Sequence, residues 1–254
     1  MQERGVLIAF EGIDGSGKTT QAAKLLERLK AAVIPYRASK EPTNQTWGRK
    51  IRESKTKGRM SPELELQAFL NDRRQHVAEV IDPELAAGRV VVIDRYYYST
   101  VAYQGARGLD PADLLRRNEE FAPRPDLVVI LDVPPRVGLE RIAGRGDTAD
   151  LFEREDNLAK AREIFLGLEG DHILRLDGTR PADELHLEIL GRLQEGPLAS
   201  RYAEMRRDVY GVPADGEEPL SVTDRTLLAR AKELAHDASV PLSDKAVTFL
   251  KAIR

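Results

Sequence analysis

An α/β fold built on a parallel sheet with helices on both faces is predicted by three features of the sequence. Short apolar runs of strand length, Val6 to Phe10, Val90 to Ile93 and Leu127 to Leu131, recur along the chain. Stretches with apolar residues at helical spacing lie between them. Polar groups follow directly on the runs: a glycine-rich turn from Gly12, the Asp94-Arg95 pair, and Asp132. The carboxyl ends of parallel strands are where such a sheet gathers its functional side chains.

Each element has its own signal. Val6-Leu7-Ile8-Ala9-Phe10 reads as the first strand, and Ala22, Leu25, Leu26 and Leu29 mark the helix after the turn. Val33-Ile34-Pro35-Tyr36-Arg37 reads as the second strand; Pro35 cannot donate to a ladder and suits a sheet edge. Lys40 to Thr43 is a loop, and Trp47 to Lys57 a short helix and turn. Ser61-Pro62-Glu63 is a helix start, with a capping serine and proline at the first helical position. Its helix is predicted to run to Val80 or Ile81. Val90 to Ile93 is a continuous β-branched run, as expected of a strand buried on both faces. Pro111 to Asn118 reads as helix, Leu127 to Leu131 as a second buried strand, and Arg136 to Ala143 as a short helix. Gly144 to Asp156 is polar and charged, a mobile segment, before an amphipathic helix from Asn157 to Leu168. His172 to Leu176 is the last strand, and Pro181 to Leu193 a helix. Gly196-Pro197 closes a first domain spanning 1–196. Beyond a linker around Val212 to Pro219, Thr223 to Ala235 and Ser243 to Ile253 read as two helices. Residues 197–254 are thus expected to form a C-terminal helical appendage, docked on the core or a second subunit, or serving as a binding module.

The chain has 254 residues, 41% hydrophobic and 32% charged, an ordinary balance for a globular protein. Its net charge of −3 gives no general pull toward nucleic acid or membrane. The absence of cysteine excludes disulfides and Cys-based zinc sites and agrees with a reducing compartment. The first strand begins too early to leave room for a signal peptide. No apolar stretch approaches the roughly 20 residues of a membrane helix. A cytoplasmic protein with no membrane or nucleic-acid partner is expected.

Gly12 to Thr19 fits G-x-x-x-x-G-K-[ST] at every fixed position, between a strand and a helix as the motif requires. Gly12, Gly15, Ser16, Gly17, Lys18, Thr19 and Thr20 are therefore read as binding the phosphates of a nucleoside triphosphate. The loop backbone and the helix N-terminus face the anion. Lys18 reaches its β/γ phosphates and the Thr19 hydroxyl a Mg²⁺ ion. Asp14, inside the loop, would repel the γ-phosphate; it serves a second ligand or forms an Asx-type turn. Asp94 is placed to orient the Mg²⁺ waters or an acceptor phosphate. Arg95 is placed to clamp the transferring and accepting phosphoryl groups. Tyr103 adds a stacking face and Gln104 an amide. Phe69 and Arg73 lie four apart on one helix face and suit a nucleobase, one stacking and one bonding an edge carbonyl. Phe69 equally suits a core, Arg73 a surface charge, and Arg74 competes one position on. Arg141, Arg145, Asp147, Phe152, Glu153, Arg154 and Glu155 crowd a segment with Gly144 and Gly146, the composition of a lid over about 144–156 that closes on phosphates, or simply of a solvated loop. His76, His172, His186 and His236 lack metal-ligand spacing and are assigned no chemistry.

Several motifs together resemble the thymidylate kinase family. They are Phe10-Glu11-Gly12-Ile13-Asp14-Gly15-Ser16-Gly17-Lys18-Thr19-Thr20-Gln21, Asp72-Arg73, Asp94-Arg95-Tyr96 with Ser99 and Ala102-Tyr103-Gln104-Gly105. Pro125-Asp126-Leu127 through Leu131-Asp132-Val133-Pro134-Pro135, and Asp177-Gly178-Thr179-Arg180-Pro181, complete the set. The likeness runs to about residue 195. It implies a P-loop NTPase-type fold and Mg-ATP-dependent transfer of the γ-phosphoryl group to dTMP, giving dTDP and ADP. It implies that Asp14 holds the sugar and phosphate end of dTMP, Phe69 stacks on thymine and Arg73 bonds its edge. Arg95 would bridge the phosphates, Asp94 would assist Mg²⁺, and Tyr103 would crowd out a ribose 2′-hydroxyl. Ser99, Gln104 and Phe152 complete the expected acceptor contacts. The family has two styles, one with an arginine inside the loop and one with catalytic arginines in the lid. Gly15 and Ser16 are not basic, so this chain resembles the second, with Arg145 and Arg154 as candidates. A homodimer is the expected assembly. Three features depart from the pattern: Lys40-Glu41-Pro42-Thr43 in place of Arg-Glu-Pro-Gly, Phe165 in place of a tyrosine, and the tail from Pro197.

Two other readings use the same residues. A kinase for another deoxynucleoside monophosphate, such as dUMP, would keep the phosphate machinery and change the base pocket. A non-catalytic nucleotide-binding scaffold would not need Asp14, Lys18, Asp94 and Arg95 together. A GTPase switch would need Asn-Lys-x-Asp, which is absent.

Overall fold

The computed structural model describes residues 4–144 and 151–199. Five strands, β1 (Val6–Glu11), β2 (Tyr36–Lys40), β3 (Val90–Asp94), β4 (Leu127–Asp132) and β5 (Ile173–Asp177), form one sheet in the order β2-β3-β1-β4-β5. Every adjacent pair is parallel, as the alternating pattern predicts. The central strands are buried on both faces, which is why they read as unbroken apolar runs. The chain leaves β1 toward β2 and leaves β3 toward β4, in opposite directions along the sheet. These neighbouring strands therefore open a crevice at their carboxyl ends, where a doubly wound sheet places its ligand. By internal contacts the chain divides into Met1–Ile189 and Leu190–Arg254, and the site described below belongs to the first unit.

Nine α-helices occur among the described residues: α1 (Lys18–Ala31), α2 (Thr46–Lys57), α3 (Pro62–His76), α4 (Asp82–Ala86), α5 (Tyr97–Gly105), α6 (Pro111–Glu119), α7 (Pro135–Ala143), α8 (Leu151–Gly167) and α9 (Ala182–Glu195). Ser61 caps α3 as expected, its hydroxyl accepting from the Leu64 amide with Pro62 at the first helical position. The core gathers Leu7, Ala9, Val91, Ile93, Val128 and Ile130 from the strands with Leu70, Tyr97, Val101 and Phe165 from the helices. None of the helices among the described residues is long and apolar enough to cross a membrane.

Three boundaries differ from expectation. The second strand starts at Tyr36, not Val33; Val33 and Ile34 instead close α1, their amides bonding to Lys30 and Leu29 carbonyls. Pro35 still precedes an edge strand, and its carbonyl accepts from Val90. The helix begun at Pro62 does not stop at Ile81. It passes through a π-helical stretch, Val77–Ile81, into α4. Pro83 cannot donate a helical hydrogen bond, and the wider turn accommodates this without ending the rod. Finally, α8 begins at Leu151, six residues before Asn157, so part of the charged segment is helical.

Candidate active site

The turn after β1 is shaped by glycine. Gly12 has φ 130° and Gly15 φ 79°, and a Cβ on either would stand 2.4 Å or less from a backbone oxygen, of Leu131 and Gly138 respectively. The loop thus lies directly against the end of β4 and the start of α7, in the strand–turn–helix setting in which such a motif turns backbone amides toward an anion. Lys18 folds over it. Its Nζ donates to the Ile13 carbonyl at 2.7 Å and to Ser16 Oγ at 3.3 Å. Burial, and then the nearby Arg95 charge, push its pKa down to about 7, against the opposing pull of Asp14, Asp94 and Glu11. A bound polyphosphate would return the missing negative charge and restore the ammonium.

Beside the loop, the Thr19 hydroxyl donates to Asp94 Oδ2 at 2.6 Å. Exposed Lys40 approaches the same oxygen at 3.5 Å. Asp94 Oδ1 is buried without a hydrogen-bond partner. A hydroxyl and a carboxylate with an idle oxygen are the donor types of a hard cation that takes its other ligands from phosphates and water. Among the described residues no cluster of three or more acidic or histidine side chains could hold a metal by itself.

Arg95 follows immediately. Its amide donates to Phe10 O, and its backbone takes the left-handed φ of 71°. That conformation is costly for a non-glycine residue. It turns the side chain across the crevice, where Nη2 donates to Asp14 Oδ1 at 2.5 Å and Nη1 to Ser99 Oγ at 3.2 Å. The guanidinium lies 5.2 Å from the Tyr103 ring centroid, and the Tyr103 hydroxyl accepts from the Asp14 amide at 3.0 Å. Phosphate loop, β3 end and α5 are thereby joined through Asp14, Arg95, Ser99 and Tyr103. Glu11 holds the same corner from below: its carboxylate accepts from the Tyr96 and Ser99 amides and the Ser99 hydroxyl. Burial raises its pKa to about 7 despite those bonds.

A cavity opens beyond this corner. Asp14 and Arg95 line it together with Phe69, Arg73, Ser99, Tyr103 and Gln104, so the structure brings all the expected acceptor residues with described side chains to one place. Arg73 is not a surface charge. It is buried, and it donates to Glu41 from Nε and Nη2, to Asn118 from Nη1 and to Thr100 from Nη2. Of its five N–H groups one is left over for a ligand. Glu41 is shared with His76, whose Nδ1 lies 2.8 Å from its second oxygen and whose Nε2 meets Ser39 at 2.6 Å. Burial pushes the Glu41 pKa up, but Arg73 and His76 outweigh it and hold it below the ordinary value. Gln104 is fixed by Glu65, which also receives Arg59 and Arg107.

The lid candidates divide. Arg145 lies outside the described residues, as does Asp147; Phe152 and Arg154 fall in the first turn of α8, and their side chains lie outside them too. The expected helices between Thr223 and Ile253 are likewise outside. Arg141 is described: it donates to the carbonyls of Gly15 and Gly178, tying α7 to the phosphate loop. Arg162 on α8 pairs with Asp132 at the end of β4 through two bonds of 2.6 and 2.8 Å.

Sequence reasoning assigned no role to Glu11, Glu41, Glu65, His76, Asn118 or Gly138. One signal was present: Glu65, Asp72, Arg73 and His76 follow i, i+7, i+8, i+11 spacing, a polar stripe on the buried side of α3. Asp72 on that stripe accepts the Thr43 amide and hydroxyl and so secures the Glu41-Pro42 loop. Gly138 carried no such signal; its missing Cβ would stand 2.5 Å from the Asp14 carbonyl.

Comparison with known proteins agrees with this geometry. A family model described as "Thymidylate kinase" matches residues 10–189. A protein of Xylella fastidiosa (strain M12) named thymidylate kinase is 48% identical over 191 residues, 75% of this chain and 88% of its own length. One of the same name from Xanthomonas oryzae pv. oryzae (strain PXO99A) is 50% identical over 183 residues, 71% of this chain and 79% of its own.

Proposed function

The chain belongs to the thymidylate kinase family and phosphorylates dTMP to dTDP with ATP as donor; from that premise we propose how its residues divide the work. One observation carries the reading. A single cavity is lined both by Asp14 and Arg95, which adjoin the phosphate loop, and by Phe69, Arg73 and Gln104, which suit a pyrimidine.

ATP phosphates occupy the loop from Gly12 to Thr20, held by its amides and Lys18. Thr19 and Asp94 would hold Mg²⁺, which would supply positive charge to offset that of the phosphates. The acceptor phosphate oxygen attacks the γ-phosphorus in line as the bond to the β–γ bridging oxygen breaks and ADP leaves, and Arg95 spans donor and acceptor as charge spreads over the transferring group. Asp14 orients Arg95 and receives the sugar end of dTMP. Phe69 stacks on the base, the remaining N–H of Arg73 meets an edge carbonyl, and the unpartnered Gln104 Oε1 accepts the ring N3–H. Tyr103, fixed by the Asp14 amide, stands where a ribose 2′-hydroxyl would otherwise fit.

The loop contains no arginine, and Arg141 is committed to carbonyl oxygens. Arg145 and Arg154 are therefore the residues proposed to complete charge stabilisation. Residues 197–254 are read as an extension outside the chemistry, and the enzyme as a cytoplasmic homodimer. Sedimentation and turnover of the full chain and of a chain ending at Glu195 check both: the full chain should run as a dimer, and the short one should keep its turnover.

The function itself is tested by kcat/KM for dTMP, dUMP, dCMP, dGMP and ribo-TMP at fixed Mg-ATP. dTMP should lead. The margin over dUMP should be about 10- to 200-fold, the worth of one methyl group in an apolar pocket. A cytosine or purine nucleotide at the top would overturn the base assignment and leave the phosphate machinery intact.

A further inference from the structure

Glu65 is buried on α3, four residues before Phe69. Its Oε2 accepts from Gln104 Nε2 at 2.7 Å and from Arg107, and its Oε1 accepts from Arg59 Nε at 3.3 Å. Arg107 is tied in turn to the Met60 carbonyl at 2.9 Å. Burial pushes the Glu65 pKa up, but the Gln104 amide and the two guanidinium groups more than offset it and hold it below the ordinary value. The group is therefore a carboxylate, and a carboxylate only accepts hydrogen bonds.

A glutamine amide has two ends of nearly equal size and opposite hydrogen-bonding sense. Whichever end faces Glu65 must be the NH₂. The other end, Oε1, is then turned away from Glu65; it is buried with no hydrogen-bond partner, on a residue that lines the cavity. A buried carbonyl left idle is costly unless a ligand supplies the donor. Thymine and uracil carry an N–H at ring position 3, whereas cytosine carries a bare acceptor nitrogen there.

We propose that Glu65 is a positioning residue for base selection: by holding the NH₂ of Gln104, it presents only an acceptor to the base and so excludes cytosine nucleotides. This rests on the reading that Gln104 faces the base. Without Glu65, Arg107, which donates to the same Oε2 as Gln104, would draw the amide oxygen to itself and turn the NH₂ toward the ligand. The preference for a ring N–H would then weaken or invert.

The test is the ratio of kcat/KM for dTMP over dCMP, measured in the full chain alongside Tm. Glu65→Met removes the acceptor at similar volume, and the ratio should fall about 10- to 100-fold, the effect of one mismatched buried hydrogen bond. Glu65→Gln can still offer its oxygen to Gln104, and should keep the ratio within about threefold of wild type. Glu65→Asp keeps the negative charge while drawing the carboxylate back from Gln104 by one methylene; it carries the test, with the same direction of change, if the methionine variant does not fold. Gln104→Met should collapse the ratio by itself, and Glu65→Met should then add nothing, since coupled residues show non-additive effects. A wild-type ratio in both Glu65→Met and Glu65→Asp overturns the proposal. So does an equal loss in Glu65→Gln and Glu65→Met, which would mean that charge rather than orientation matters. If Gln104→Met leaves the ratio intact, the base-pocket reading fails instead, and the two failures are thereby told apart.

Discussion

The two ends of the crevice are built by different means. At the donor end, the proposed binding element is a contiguous turn from Gly12 to Thr19 that acts through its own backbone, shaped by glycine conformations at φ 130° and 79°. At the base end no segment suffices. Arg73 on α3 reaches Glu41 after β2, Thr100 on α5 and Asn118 on α6, partners 27 to 45 residues away. The first design concentrates function in local geometry, so a change there should act on turnover. The second is a buried polar network whose members satisfy one another, so a change there should act on folding as much as on binding.

The sharpest way to break that contrast is Lys18→Ala. It removes the lysine that folds over the phosphate loop, with its bond to the Ile13 carbonyl. Turnover should fall by about 10³-fold or more, as expected for a group positioned on transferring phosphates, with Tm nearly unchanged. A variant retaining near wild-type turnover would overturn the phosphate assignment.

Arg95→Ala comes next, with a loss on the order of 10³-fold that falls on kcat as well as KM. A pure KM effect would reduce Arg95 to docking. Arg145→Ala and Arg154→Ala, made singly, should include one loss of the same kind with ATP affinity little altered. If both keep their kcat, the charged segment is not a catalytic lid, and Lys40, 3.5 Å from Asp94, becomes the candidate.

Legibility followed the same divide. The parallel sheet, the loop and the Asp94-Arg95 corner could be read because each is a property of adjacent residues: a β-branched run, a spaced motif, a strand end. The Glu41–Arg73–His76 network could not, since nothing in Glu41 or His76 alone announces burial. Arg73 was expected to spend its donors on a base, whereas four are spent on the protein. For Glu65 the helical spacing offered a hint of burial, but not that Gln104 and Arg107 converge on it.

Glu41→Gln probes the base end directly. It leaves Arg73 buried with its charge uncompensated, the kind of change that costs about 3–5 kcal/mol. The wild-type carboxyl is held below its ordinary value of 4.5 in the folded state. Its contribution is therefore complete above that pH and lost as pH falls through the folded-state value. Denaturant midpoints against pH should converge for mutant and wild type in acid and separate toward neutrality. A mutant that loses turnover with an unchanged midpoint would make Glu41 a donor-end type of residue and erase the distinction.

The smallest effect concerns a site at neither end. Val33 is 81% exposed and sits just past α1 at φ 55°. Its amide bonds to Lys30 O and that of Ile34 to Leu29 O, each at 3.0 Å, the paired bonds of a Schellman cap. Glycine is the usual occupant of that position; the β-branched valine made the stretch read as strand when it is a helix stop. Val33→Gly removes a left-handed backbone cost of about 1–2 kcal/mol. It gives back about 0.4–1 kcal/mol through the greater freedom of the unfolded chain. A net gain of about 0.5–1 kcal/mol remains, worth roughly 1–4 °C in Tm for a domain of this size, with kcat/KM for dTMP unchanged. A fall in Tm would mean that the valine side chain contributes more than its backbone costs. A change in kcat/KM would show that the β2 edge, through Lys40 and Glu41, transmits its position to both ends of the crevice, and would tie together the two regions that Lys18→Ala and Glu41→Gln are expected to separate.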